Sequence, residues 1–177
     1  MSAPIDHSSL QFANGEPIIL AATLWRGAMI QRFAQIEGFV DRSLGFCAGA
    51  SLVSATDAQD ILPRRRFNIL LKALDAAKPA GWVNAKQSLQ QAYDLWDDRN
   101  ALCHGIVEPK ARSIVLRWTA RDNSGVVARH VKITPTEMLE KLHELDRVKT
   151  ILGSRLGQID KVWRDLASSG QSLNSDI

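Results

Sequence analysis

The sequence predicts a mainly all-α fold: a helical bundle of four to five helices with a small β-hairpin insertion before a long last helix. Three observations carry this. Apolar residues recur at steps of three and four along most of the 177 residues, the period of a helix with one buried face. Only between residues 113 and 133 does the pattern change, to β-branched and aromatic residues flanking Asp122-Asn123-Ser124-Gly125, a strong turn signal. After it, Thr134-Pro135-Thr136-Glu137 joins a capping box to a Pro at the first helical position, so a helix should begin there.

Taken in order, Trp25, Met29, Phe33, Ile36 and Val40 space a first helix from Pro17 to about Leu44. Arg32 falls inside its apolar arc and must either snorkel out or meet a carboxylate. The Gly-, Ala- and Ser-rich run from Leu44 to Thr56 reads as a loop, with Thr56 or Asp57 capping a short turn. Pro63 opens a second helix carrying Phe67, Leu71 and Leu74, which ends before Lys78-Pro79-Ala80-Gly81. Asn84 with Gln87 three residues on makes a plausible cap for a third, in which Ala85, Leu89, Ala92, Trp96, Arg99 and Cys103 share a stripe. The hairpin, 113–120 with 126–133, would put Ile114, Leu116 and Trp118 on one face and Arg117 and Arg121 on the other. From Met138 to Leu166 a stripe broken only by Lys149 gives a last helix whose seam is the kind that packs along a neighbour.

Composition bounds what such a chain can be. With 45% hydrophobic and 23% charged residues, an ordinary globular domain is expected over 17–168, with a frayed N-terminus at 1–16 and a disordered tail at 169–177. No stretch is apolar for long enough to span a bilayer, and Asp6 and Glu16 argue against a secretory leader, so no membrane role and a cytoplasmic location are expected. Cys47 and Cys103 then read as reduced thiols without the spaced partners of a zinc site, and no metal is expected. No Gly-rich phosphate loop, nucleophile elbow or paired-carboxylate motif occurs, and no cofactor is expected. A formal charge of +3 permits a polyanionic partner without demanding one.

Chemistry shows in one place, Asp97-Asp98-Arg99-Asn100-Ala101-Leu102-Cys103-His104-Gly105 at the end of the third helix. A histidine moves protons near neutrality, and an arginine grips two phosphate oxygens through parallel hydrogen bonds. Asn100 and His104 stand four apart and share a face, whereas Arg99 is rotated about 140° from His104 and must use its length or an unwinding at Gly105. Glu37, Asp97 and Asp98 are candidate acids for holding Arg99 or His104. The same residues admit a plainer reading, in which Arg99 pairs with Asp98 or Glu37 and His104 merely ends the helix near its negative pole.

This Arg99-Asn100 to His104-Gly105 motif, on a helix with an apolar stripe, resembles the signature of the HEPN superfamily, small helical domains that include RNA-cleaving toxins and defence nucleases. The resemblance implies a HEPN-like bundle, a homodimer that brings two motifs together, and a metal-independent endoribonuclease leaving 2′,3′-cyclic phosphate ends. Carried over, His104 would be the general acid or base, Arg99 would stabilise the charge on the phosphate, and Asn100 would orient His104. RNA is the implied partner, and the family leaves room for an antitoxin or regulatory protein. Arg64, Arg65 and Arg66, and Arg117 and Arg121 with Lys110, Arg112 and Arg129 near the hairpin, are the candidate nucleic-acid contacts or, in the plainer reading, solvated faces. Two alternatives from other classes stand beside this: a non-catalytic HEPN-like module binding RNA, nucleotide or protein, and a helical dimerisation scaffold driven by the last helix.

Overall fold

The computed structural model describes residues 18–122 and 125–169. The expected frayed start, the centre of the hairpin turn and the expected tail beyond Ser169 lie outside the described residues. Helix α1 (Ile18–Gly49) buries Trp25, Met29, Phe33, Ile36, Val40, Leu44 and Cys47. It therefore runs five residues past Leu44, through part of the segment expected to be a loop. Gly45 and Gly49 have open space around them, while Leu44 and Cys47 continue the buried stripe, so tertiary burial outweighs the weak propensity of a Gly-rich stretch. The chain turns at Ser51 in the left-handed region, and Leu52 N donates to Cys47 O at 2.9 Å.

A single-turn helix, α2 (Ala55–Ala58), is capped by Ser54, two residues before Thr56 and three before Asp57, the expected caps: Asp57 N donates to Ser54 Oγ at 3.0 Å. Helix α3 (Pro63–Ala77) starts on Pro63 as expected and stops where Lys78 turns left-handed before Pro79. The expected third helix is two. α4 (Trp82–Asp94) begins two residues before Asn84, because Gly81 takes the left-handed conformation that launches it and Trp82 N donates to Pro79 O. Leu95 then leaves helical geometry, and α5 (Trp96–His104) follows. Beyond that break Trp96 is buried as expected, but the next buried positions are Ala101 and Leu102 rather than Arg99 and Cys103.

The expected hairpin is the outer part of a three-stranded antiparallel sheet, β1 (Ile106–Lys110), β2 (Ser113–Asp122) and β3 (Gly125–Ile133), in that spatial order. β1 escapes a pattern reading because Glu108-Pro109-Lys110 looks like a turn; on an edge strand the proline removes no obligatory ladder bond. Ile106, Arg117 and His130 align across the sheet, which sets its parity. Ile114 and Leu116 bury against the helices, and Arg117 and Arg121 point outward.

Helix α6 (Pro135–Ser169) opens on the expected capping box: Thr134 N donates to Glu137 Oε2 at 2.7 Å and Glu137 N to Thr134 Oγ1 at 3.3 Å. Its seam packs along α1, and the two run parallel. Arg32 meets Asp146, Phe39 lies against Gly153, and Ser43 meets Asp160. Lys149 stands beside the stripe, bonded to Asp146, while Val148 takes the buried place. One apolar cluster joins α1, α3, α4, α5, β2, β3 and α6. Among the described residues no helix is long and apolar enough to cross a membrane.

Candidate functional site

The site is built on α5, a helix of nine residues inserted between the break at Leu95 and the sheet. Trp96 anchors its start, packing edge-on against Phe67 with ring centroids 5.6 Å apart. Asp97 and Asp98 occupy the first turn, where the helix dipole favours acids. They do not hold Arg99 or His104: Asp97 faces Arg129 of β3 at 3.7 Å and Asp98 faces Lys141 of α6 at 3.2 Å. Both pairs clamp α5 to its neighbours.

Arg99 is held by Glu37, the third of the candidate acids. Its Nε donates to Glu37 Oε1 at 3.1 Å, with both side chains about four-fifths buried. The guanidinium carbon lies 5.0 Å from the centre of the Trp96 ring, a cation–π distance. Since only Nε is engaged, the two terminal amino groups have no hydrogen-bond acceptor among the described residues. Arg99 lines a cleft of about 440 Å³ whose other walls include Asn100, Arg64, Arg65 and Asn68. Five polar or cationic side chains from two helices, α3 and α5, thus meet here.

Arg64 and Arg65 reach the cleft because Pro63 starts α3 beside α5. Arg64 lies over Tyr93 and donates to its hydroxyl at 2.8 Å, and Arg65 pairs with Asp60 at 3.2 Å. Arg66 leaves the group, turned to Asp41 of α1 at 2.6 Å. Arg117 and Arg121 are exposed on the outer sheet face, Arg117 tied to Glu108 at 2.7 Å, and neither lines the cleft.

His104 is the last residue of α5 and is exposed. Its side chain makes no hydrogen bond among the described residues and does not line the Arg99 cleft, and it lies about 140° from Arg99 around α5. Two features fix where it stands. Gly105 N donates to Ala101 O at 2.8 Å, and a Cβ on Gly105 would collide with Ala101 O and lie 2.8 Å from Leu116 Cδ1. Only glycine fits where the helix meets β2.

The second feature is Arg26 of α1, which sequence reasoning missed. Its Nε donates to Leu102 O at 2.6 Å and its Nη2 to Cys103 O at 3.3 Å, capping the end of α5 with a cation. The only signal was a basic residue next to Trp25, and nothing in its spacing names a partner 76 residues away. Among the described residues no three His, Cys, Asp or Glu side chains cluster as metal ligands would, and Cys47 and Cys103 are both free thiols. Compared with known proteins, the chain matches no family model, no curated protein and no solved structure.

Proposed function

We propose that the protein is a metal-independent endoribonuclease of HEPN type that acts as a homodimer. One observation carries the reading: Glu37 and the Trp96 ring hold the Arg99 guanidinium by one edge and one face, its two terminal amino groups have no acceptor among the described residues, and Arg99 lines a cleft with Asn100, Arg64 and Arg65. A guanidinium kept in that way suits the two oxygens of a phosphodiester.

In this reading His104 takes the proton from a ribose 2′-hydroxyl, whose oxygen attacks the adjacent phosphorus as the P–O5′ bond breaks. The departing O5′ takes a proton from the partner copy's site or from water, and the products are a 2′,3′-cyclic phosphate and a 5′-hydroxyl. Arg99 stabilises the charge on the phosphoryl oxygens as it builds. Because Arg99 and His104 of one chain face different ways, the second copy supplies the missing half of each site. The arginines beside the cleft bind the flanking RNA backbone, and any toxin or defence role, with an antitoxin or regulatory protein, belongs to this reading.

Incubation of the protein with mixed RNA in EDTA, followed by end-group analysis, tests it. Cleavage with cyclic-phosphate ends is expected, and His104→Ala should lower it at least about a hundredfold, the scale of a lost general acid or base. Its melting temperature should barely move, since His104 is exposed and unbonded. If RNA binds but is never cut, the non-catalytic binding module is the better reading.

A further inference from the structure

The cleft that Arg99 lines is larger than a phosphate group needs. Its volume of about 440 Å³ falls within the roughly 300–1,000 Å³ of pockets that enclose whole small molecules. Three guanidiniums, those of Arg64, Arg65 and Arg99, line it, and among the described residues no carboxylate does. Arg64 spends only its Nε, on the Tyr93 hydroxyl, so its terminal amino groups, like those of Arg99, have no acceptor among the described residues. The rest of the wall is of another kind. Leu62, about 55% exposed, and Pro63 supply apolar surface, while Asn68 and Asn100 supply carboxamides that make no side-chain hydrogen bond among the described residues. Asn68 stands four residues after Arg64 and three after Arg65 on α3, so all three share one side of that helix.

We infer that the cleft seats one whole nucleotide, its phosphate on the arginines and its base against Leu62 and Pro63, and that Asn68 reads the edge of the base. An anion alone would fill only a small part of this space. Apolar surface beside free carboxamides suits a flat ring with apolar faces and a hydrogen-bonding edge, and a carboxamide offers a donor and an acceptor side by side, the arrangement with which Asn recognises a base. Asn68 is the reader because it is exposed and shares α3 with two of the arginines, whereas Asn100 stands on α5 four residues before His104. Within a strand only an unpaired nucleotide has its base edge free to enter. The inference rests on the phosphate role given to Arg99 in the proposed function and does not need cleavage.

Titration of the ¹⁵N-labelled full chain with the four nucleoside 5′-monophosphates and with ribose 5-phosphate, which carries the same phosphate and no base, tests it. One nucleotide should bind about tenfold more tightly than ribose 5-phosphate, the scale of one net hydrogen bond, and should shift the side-chain amide resonances of Asn68. Asn68→Ala should bring that nucleotide down to the affinity of the others and leave ribose 5-phosphate unchanged. Tetranucleotides of 2′-O-methyl RNA, whose attacking hydroxyl is blocked, identify the source: tighter binding with the same order of bases assigns the site to a strand, and weaker binding assigns it to a free nucleotide. The parent's titration decides the matter even if the variant fails to fold. Equal affinity for ribose 5-phosphate and all four nucleotides, or an unchanged base preference in Asn68→Ala, overturns the inference and leaves the phosphate role of Arg99 standing. If neither ribose 5-phosphate nor any nucleotide binds at millimolar concentration, both fall.

Discussion

Gly105 shows how one absent side chain sets the candidate site. Its backbone is extended, φ −77°, and strains no residue; what it lacks is room, with Ala101 O, Leu116 and Arg117 O all inside the reach of a Cβ. Gly105→Ala should therefore destabilise the fold by roughly 1–3 kcal/mol, the usual cost of overpacking, read as a lower denaturation midpoint. Because the strain falls at the end of α5, cleavage should fall with it even under conditions where the variant stays folded. An unchanged midpoint would mean that β2 moves away freely and that the glycine does not position His104. In sequence this glycine was visible as part of the motif and as a point where the helix could unwind, but not as a steric necessity, since the carbonyls and the leucine it must avoid belong to the fold.

At the scale of elements, the parallel pair α1 and α6 carries two acid–base contacts of opposite sign. Arg32, about 5% exposed, donates from Nε to Asp146 Oδ1 and from Nη1 to Ala28 O, both at 3.1 Å. The hydrogen bond from Lys149, then the charges of Lys149 and Arg32, hold the Asp146 carboxyl below its usual range. Its contribution is full above the ordinary carboxylate range and is lost as pH falls through the lowered folded value. Asp160 runs the other way: burial pushes its carboxyl up despite Ser43 and Arg42, so its ionisation destabilises the fold as pH rises from the ordinary value through the raised one. Asp146→Asn should cost about 1–2 kcal/mol near neutrality, discounted because the carboxylate is half exposed, and should flatten the acid limb of stability against pH. Asp160→Asn should instead remove the decline toward neutral pH. Denaturant titrations at several pH values check both, and parallel curves for the parent and Asp146→Asn would exclude the Asp146 assignment. The two apolar seams were plain from the period of three and four; their parallel pairing was not, because a stripe states which face is buried and not what covers it.

For the whole molecule, the separation of Arg99 from His104 within one chain makes assembly the central expectation. The protein should elute as a dimer at micromolar concentration, and a strict monomer that still cleaves RNA would show that one chain suffices. Charge makes a second expectation. Arg64 and Arg65 border the cleft while Arg117 and Arg121 lie on the outer sheet face, so replacing the first pair should weaken RNA binding more. If both residues of that pair contact phosphates, the dependence of log affinity on log salt should flatten by roughly 1.4 for a single strand. Equal slopes for the parent and the Arg64, Arg65 double variant would send the RNA path elsewhere, and a larger loss from Arg117 and Arg121 would place it across the sheet.

The residues from Asp97 to Gly105, the capping box at Thr134, the stripe of α6 and the alternation of Ile114, Leu116 and Trp118 were all legible in the sequence alone, because each is a local pattern with a local physical cause. Propensity and punctuation failed where burial overrode them, in the extension of α1 through Cys47; they failed also at Leu95, whose break no Gly or Pro announces, and at Pro109, which an edge strand tolerates. What only the tertiary structure decided is which groups meet. Glu37 rather than Asp98 holds Arg99, Arg26 closes α5, and Arg64 and Arg65 share the Arg99 cleft while Arg66 does not. These partners lie on different helices, and a pairing between helices is set by the packing of their apolar faces, which no spacing within either helix encodes.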